Sequence, residues 1–143
     1  MNVFTWQTDG NVTMPAFDFP RVEKWLVDVA RGHGKLVGDL NYIFCDDERI
    51  LEVNREFLNH DYYTDIITFD RSLRGLVRGD IYISLETVAS NAAQLSQDID
   101  LELHRVVVHG LLHLCGIDDK GPGEREIMEA EEDTALELYL NTL

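Results

Sequence analysis

A chain of 143 residues, 45% of them hydrophobic, is long enough for one domain with a sizeable core and too short to suggest two. Its formal charge of −15, from 27 acids against 12 Lys and Arg, creates a field that repels free nucleic acid and anionic membrane surfaces. No stretch approaches the roughly 18 consecutive apolar residues of a membrane span, and MNVFTWQTDGN lacks the basic-then-apolar layout of a signal peptide. A cytoplasmic protein is expected, with Cys45 and Cys115 as buried thiols rather than a disulfide framework.

VFTWQT reads as a short strand. PRVEKWLVDVARGHG reads as an amphipathic helix, with Pro20 near its start, Val22, Trp25, Leu26 and Val29 as its apolar stripe and Gly32 near its end. DLNYIFCD alternates like a strand, after which Asp46 or Asp47 can cap a helix through ERILEVNREFL that turns Ile50, Val53, Asn54 and Phe57 to one side. DIITFD and GDIYISL, rich in β-branched and aromatic residues, read as two strands pairing as a hairpin across the loop RSLRGLVR. Ser84 is a candidate N-cap for ETVASNAAQLS, residues 100–115 form a strongly apolar helix, and GEREIMEAEEDTALELYL is a final acidic one. The order β-α-β-α-β-β-α-α-α predicts a single α+β domain over residues 1–143, a mixed sheet of about four strands covered by helices.

Charge is uneven along this chain. Residues 117–143 hold nine acids and two bases, whereas the hairpin loop holds Arg71, Arg74 and Arg78 and no acid. That loop is either a local basic patch or an ordinary solvated turn.

The apolar helix is interrupted by His109 and His113, four residues apart and therefore on one face, where both rings can meet one metal ion. A lone buried histidine reads as a hydrogen-bonded core residue; a pair followed by further ligand-type groups points to metal. Gly116 can adopt the left-handed conformation that ends a helix and turns the chain back, so that Asp119 supplies a third ligand, with Asp118 competing. The result has the spacing of the zinc pattern HExxHxxGxxH, with two departures. Gly110 stands where a protease keeps its glutamate base, which argues against peptide hydrolysis, and Asp119 replaces the last histidine. Cys115 projects from another face and reads as core; His33, His60 and His104 read as surface or local structural residues.

HGLLHLCGIDD resembles the signature HGxLHLxGxDH of the YbeY family of bacterial endoribonucleases, VNREFLNHDYYTDIITFD resembles the family segment LNxxYRxKDxPTDVLSFP, and GDIYIS resembles the strand after it. The resemblance implies a zinc-dependent, single-strand-specific endoribonuclease in ribosomal RNA processing, notably at the 3′ end of the small-subunit RNA, and in ribosome quality control. It implies one Zn2+ on His109, His113 and Asp119. Implied partners are single-stranded RNA, rRNA and ribosomal or small-subunit proteins, with no DNA and no membrane. The family's basic positions in YRxKD fall here at Leu58 and His60, so Arg55, one helical turn before Leu58, is the candidate catalytic substitute. Arg71, Arg74 and Arg78 are candidates for holding RNA phosphates, and Tyr62, Tyr63 or Phe69 for stacking bases. The rival readings are a non-catalytic ribosome-associated factor with a structural metal site closed by a fourth ligand such as Asp118, and a metalloprotease, which Gly110 disfavours.

Overall fold

The computed structural model describes residues 3–142. Among them four strands and five helices follow in the order β1 (Phe4–Thr8), α1 (Phe19–Gly32), β2 (Leu36–Cys45), α2 (Asp47–Leu58), β3 (Ile66–Asp70), β4 (Leu76–Ser84), α3 (Leu85–Gln94), α4 (Ile99–Leu114) and α5 (Glu124–Asn141). The sheet runs β1-β2-β4-β3, with β1, β2 and β4 parallel and β3 antiparallel to β4. The α+β reading holds, down to the β3–β4 hairpin and the three consecutive closing helices.

Side-chain alternation in the strands builds two cores of unequal size. Leu40, Tyr42, Phe44, Ile81 and Ile83 face α1, α4 and α5 across the main core, while Cys45 and Ile67 face Ile50 and Val53 of α2 on the opposite side. β2 and β4 begin earlier than the alternation suggested, at Leu36 and Leu76, because a register irregularity between Val37 and Leu40 lets the pair run on.

Local capping explains where the helices start. Asp46 accepts from the Arg49 amide at 2.8 Å and Ser84 from the Thr87 amide at 3.3 Å. Asp47 instead joins two elements, since its Oδ1 accepts from the Ser84 hydroxyl at 2.6 Å and from Thr87 Oγ1 at 2.5 Å, tying α2 to the start of α3. Phe57 departs from the expected apolar stripe. It is 58% exposed, with an edge contact to Phe69. Cys115 is half-buried rather than buried, packed at the margin of the main core. His104, read as a surface or local residue, is buried among Phe17, Trp25 and Tyr139, its Nδ1 bonded to the Asp100 carbonyl at 2.7 Å.

Helix α4 is the pillar of the main core, and two contacts seat it on the sheet. The fully buried Tyr42 hydroxyl donates to the Val107 carbonyl at 2.8 Å, and burial drives that phenol's pKa far above its ordinary value. Gly110 lies so close to β4 and β3 that an added Cβ would stand 3.0 Å from Ile81 Cδ1 and 3.1 Å from Ile66 Cδ1. The missing protease glutamate therefore has a packing reason: residue 110 faces the sheet, where even a Cβ would press on two isoleucines. Gly110→Glu should lower stability by at least about 3 kcal/mol, from overpacking plus a carboxylate forced against two isoleucines. Urea denaturation at neutral pH checks this, and an unchanged midpoint would show that α4 is not seated in this way.

Candidate functional site

A cleft of about 510 Å3 opens between the outer end of β3, the loop before it, the C-terminal half of α4 and the start of α5. His109, His113 and Asp119 all line it. The two imidazoles arrive by helical spacing; Asp119 arrives by the glycine turn. Gly116 has φ +103°, and the following amide of Ile117 returns to the Leu112 carbonyl at 3.1 Å, which ends α4 and brings the chain back over its own last turn. Asp119 Oδ2 ends 3.3 Å from His109 Nε2, whereas Asp118 is exposed and does not line the cleft.

The tautomer of each histidine follows from its neighbours. Nδ1 of His109 lies 2.5 Å from the Glu132 carboxylate and Nδ1 of His113 lies 3.2 Å from the Ile117 carbonyl. Both partners only accept, so each Nδ1 carries a proton; His109 Nε2 faces a second acceptor, the Asp119 carboxylate, and keeps a lone pair for a ligand only in the neutral ring. Glu132, 6% exposed on α5, is held in turn by Arg105 Nη1 at 3.0 Å. Burial pushes the His109 pKa down, but the Glu132 hydrogen bond and the negative charges of Glu132, Asp119 and Asp65 outweigh it and leave the pKa raised. Asp65, half-buried at the mouth, has its carboxyl raised chiefly by burial, with His109 opposing.

Two imidazole nitrogens and one carboxylate are a competent donor set for zinc, and second-partner hydrogen bonds on both Nδ1 atoms are what such ligands need. Ligand atoms about 2.0–2.1 Å from a tetrahedral ion stand roughly 3.3 Å apart, which is the His109–Asp119 separation of 3.3 Å. Among the described residues no three His, Cys, Asp or Glu side chains are grouped as a ready-made metal site, so the three candidates share the cleft without converging on one point.

The remaining candidates are dispersed. Arg55 holds Asp61 at 2.5 Å on the exposed end of α2 and does not line the cleft, although Leu58 and His60, at the family's two basic positions, do. Arg71, Arg74 and Arg78 sit at the opposite end of the hairpin, about 13 Å from Ile66 along β3. Arg71 is occupied there by Asp80 at 3.2 Å and Asp39 at 3.5 Å, and Arg74 takes a positive φ of 51° in the turn. Tyr62 lines the cleft and stacks on His60 at 5.2 Å; Tyr63 is exposed, and Phe69 packs with Phe57 and Tyr82 beside the smaller core.

Sequence reasoning missed the cleft's cations, Lys120 and Arg125, and its buried acid, Glu132. Spacing could have raised the first two, since they follow Asp119 within one loop and one helix start. Nothing local marks Glu132, 23 positions after His109, apart from being one acid among many on α5.

Comparison with known proteins identifies the family. The family described as Endoribonuclease YbeY matches residues 9–139. A protein of that name from Phocaeicola vulgatus is 57% identical over 95% of this chain and 98% of its own, and one from Bacteroides thetaiotaomicron is 55% identical over 94% and 97%. A Thermotoga maritima protein solved in solution superposes with a TM-score of 0.65 at 25% identity, covering 96% of this chain and 89% of that one. With a match across nearly its whole length, and a sheet and helix arrangement shared with a solved structure, the chain belongs to the YbeY family of endoribonucleases.

Proposed function

We propose that this chain is a zinc-dependent, single-strand-specific endoribonuclease of the cytoplasm that acts on ribosomal RNA, in maturation of the small-subunit 3′ end and in ribosome quality control. The observation that carries the reading is the pair of histidines with both Nδ1 atoms tied back to acceptors and the Asp119 carboxylate 3.3 Å from His109 Nε2. His109, His113 and Asp119 would hold the ion. When bound, it supplies a Lewis acid and a counter-charge to the phosphodiester as that group gains negative charge.

The protein's own groups do the rest. Glu132 fixes the His109 ring, Lys120 and Arg125 offer positive charge to phosphate, and the stacked His60–Tyr62 pair offers a flat face to an unstacked base. The Ser84 amide donates to the Asp65 carbonyl and the Arg71 amide to the Arg78 carbonyl, so the odd residues of β3 pair with β4 while Thr68 turns its N–H and C=O outward along the cleft wall. An open cleft with Asp118 outside it supports a working site over a structural one, which would be closed by a fourth protein ligand.

Purified protein should carry close to one zinc per chain and cut single-stranded RNA, and His113→Ala and Asp119→Ala should lose both. Metal retained in both variants, with no cleavage by the wild type, would point to a structural site. Glu132→Gln should remain folded by circular dichroism yet lose about 10- to 100-fold in metal affinity; competition with a chromogenic chelator measures it, and unaltered affinity removes Glu132 from the site. Lys120→Ala and Arg125→Ala should each flatten the slope of log affinity against log salt by about 0.7 for a single strand, as expected for one lost phosphate contact. Anisotropy titrations across a salt series supply those slopes.

A further inference from the structure

Beside the cleft lies a second groove of about 540 Å3, where the end of α3 meets α4 and the start of α5. Asp65, Arg125 and Glu129 line both hollows, so the two share a ridge. Inside the groove is Glu102, in the first turn of α4. It is only 8% exposed, yet among the described residues no hydrogen bond or ion pair reaches its carboxylate. The nearest cation, Arg105, is spent on Glu132 and Asp133. Burial raises the Glu102 pKa, with Arg105 opposing. The Glu102 carboxylate oxygens open into the groove, where a donor arriving with a ligand would meet them unpartnered.

The chemistry of the walls narrows the ligand. Asp65, Glu129 and Asp133 join Glu102 in the groove against Arg105 and Arg125, so the acids outnumber the bases and the groove disfavours a phosphate. The amides of Asn91, Gln94 and Gln97 also line it, each able to donate and accept, beside the exposed Leu95. For a strand of RNA entering from the neighbouring cleft, the base that suits these walls is one with two adjacent donors for one carboxylate and an acceptor for an amide. Of the four RNA bases, guanine alone has that edge, with N1–H and N2–H2 side by side and O6 next to them.

We infer that the groove is a guanine-reading subsite: Glu102 accepts from N1–H and N2–H2 of a guanine flanking the scissile phosphate, and a rim amide donates to O6. This rests on the endoribonuclease reading of the neighbouring cleft, with the strand crossing the shared ridge at Arg125.

The test is equilibrium binding of the full chain to uncleavable 2′-O-methyl oligouridines carrying one central guanine, inosine or adenine, read by fluorescence anisotropy. Guanine should bind about tenfold tighter than inosine, which lacks the N2 amino group, and tighter still than adenine. Glu102→Gln should bring the three within about twofold of one another. The exposed Gln94→Ala and Gln97→Ala variants, which leave the core intact, should between them narrow the guanine advantage severalfold even if Glu102→Gln folds poorly. Equal affinity of the wild type for all three oligonucleotides overturns the inference, as does a guanine preference that survives every variant. Failure of the wild type to cut any RNA would instead sink the activity reading, and the binding comparison would still decide the subsite.

Discussion

A buried carboxylate that must be neutralised organises the site. Glu132 is 6% exposed, and an acid at that depth is tolerated only with close donors. It has two: His109 Nδ1 at 2.5 Å and Arg105 Nη1 at 3.0 Å, both from α4. The contact therefore does three things at once. It locks α5 against α4, sets the tautomer of His109 and orients that ring so that Nε2 faces Asp119. Removing one partner from such a pair typically costs about 3–5 kcal/mol, a large part of a domain's whole stability. Fold and chemistry are coupled through this carboxylate, and a perturbation of one is felt in the other.

The second constraint is the depth at which α4 is buried. A helix that packs on a sheet at close range needs a small residue at the crossing, and Gly110 meets that need against Ile66 and Ile81. The crossing point lies between the two histidines, so the position that carries a general base in a zinc protease is consumed by packing here. RNA tolerates this loss better than a peptide does. Its ribose 2′-hydroxyl brings a nucleophile already positioned beside the phosphorus, so charge stabilisation and alignment supply much of what the reaction needs.

Much of this was legible in the chain, and the failures have physical causes. Helical spacing and a glycine turn are local, so His109, His113 and the return of Asp119 could be read from residues 109–119. Hairpin formation by β3 and β4 was local too, but which end of the hairpin meets α4 was not. Arg71, Arg74 and Arg78 consequently look basic in sequence while sitting at the far end, where Asp39 of β2 and Asp80 of β4 engage Arg71. Phe57 lies on the apolar stripe of α2, but only the start of that helix lies over the smaller core; its last turn runs beyond it. Glu132 and Glu102 were invisible as special residues. An acid on an acidic helix, or in a helix's first turn, reads as solvated until tertiary packing buries it.

The acidity of the whole chain bears on how it holds a polyanion. At −15 the long-range field opposes RNA, and two cations on the cleft wall do not reverse it. Arg125 is itself shared with Glu129 at 3.1 Å, on an exposed surface where such a pair is weak and easily exchanged for phosphate. Affinity must then come from contacts that act only at short range. A base on the His60–Tyr62 stack is worth about 1–3 kcal/mol, and base edges meeting buried polar groups add discrimination that a field of either sign lacks. On the proposed reading such a surface would disfavour duplexes, whose bases are stacked away, and strands that offer charge without exposed bases. On that reading acidity would act as a filter: weak attraction to RNA in general would leave base contacts to decide which strands stay long enough to be cut.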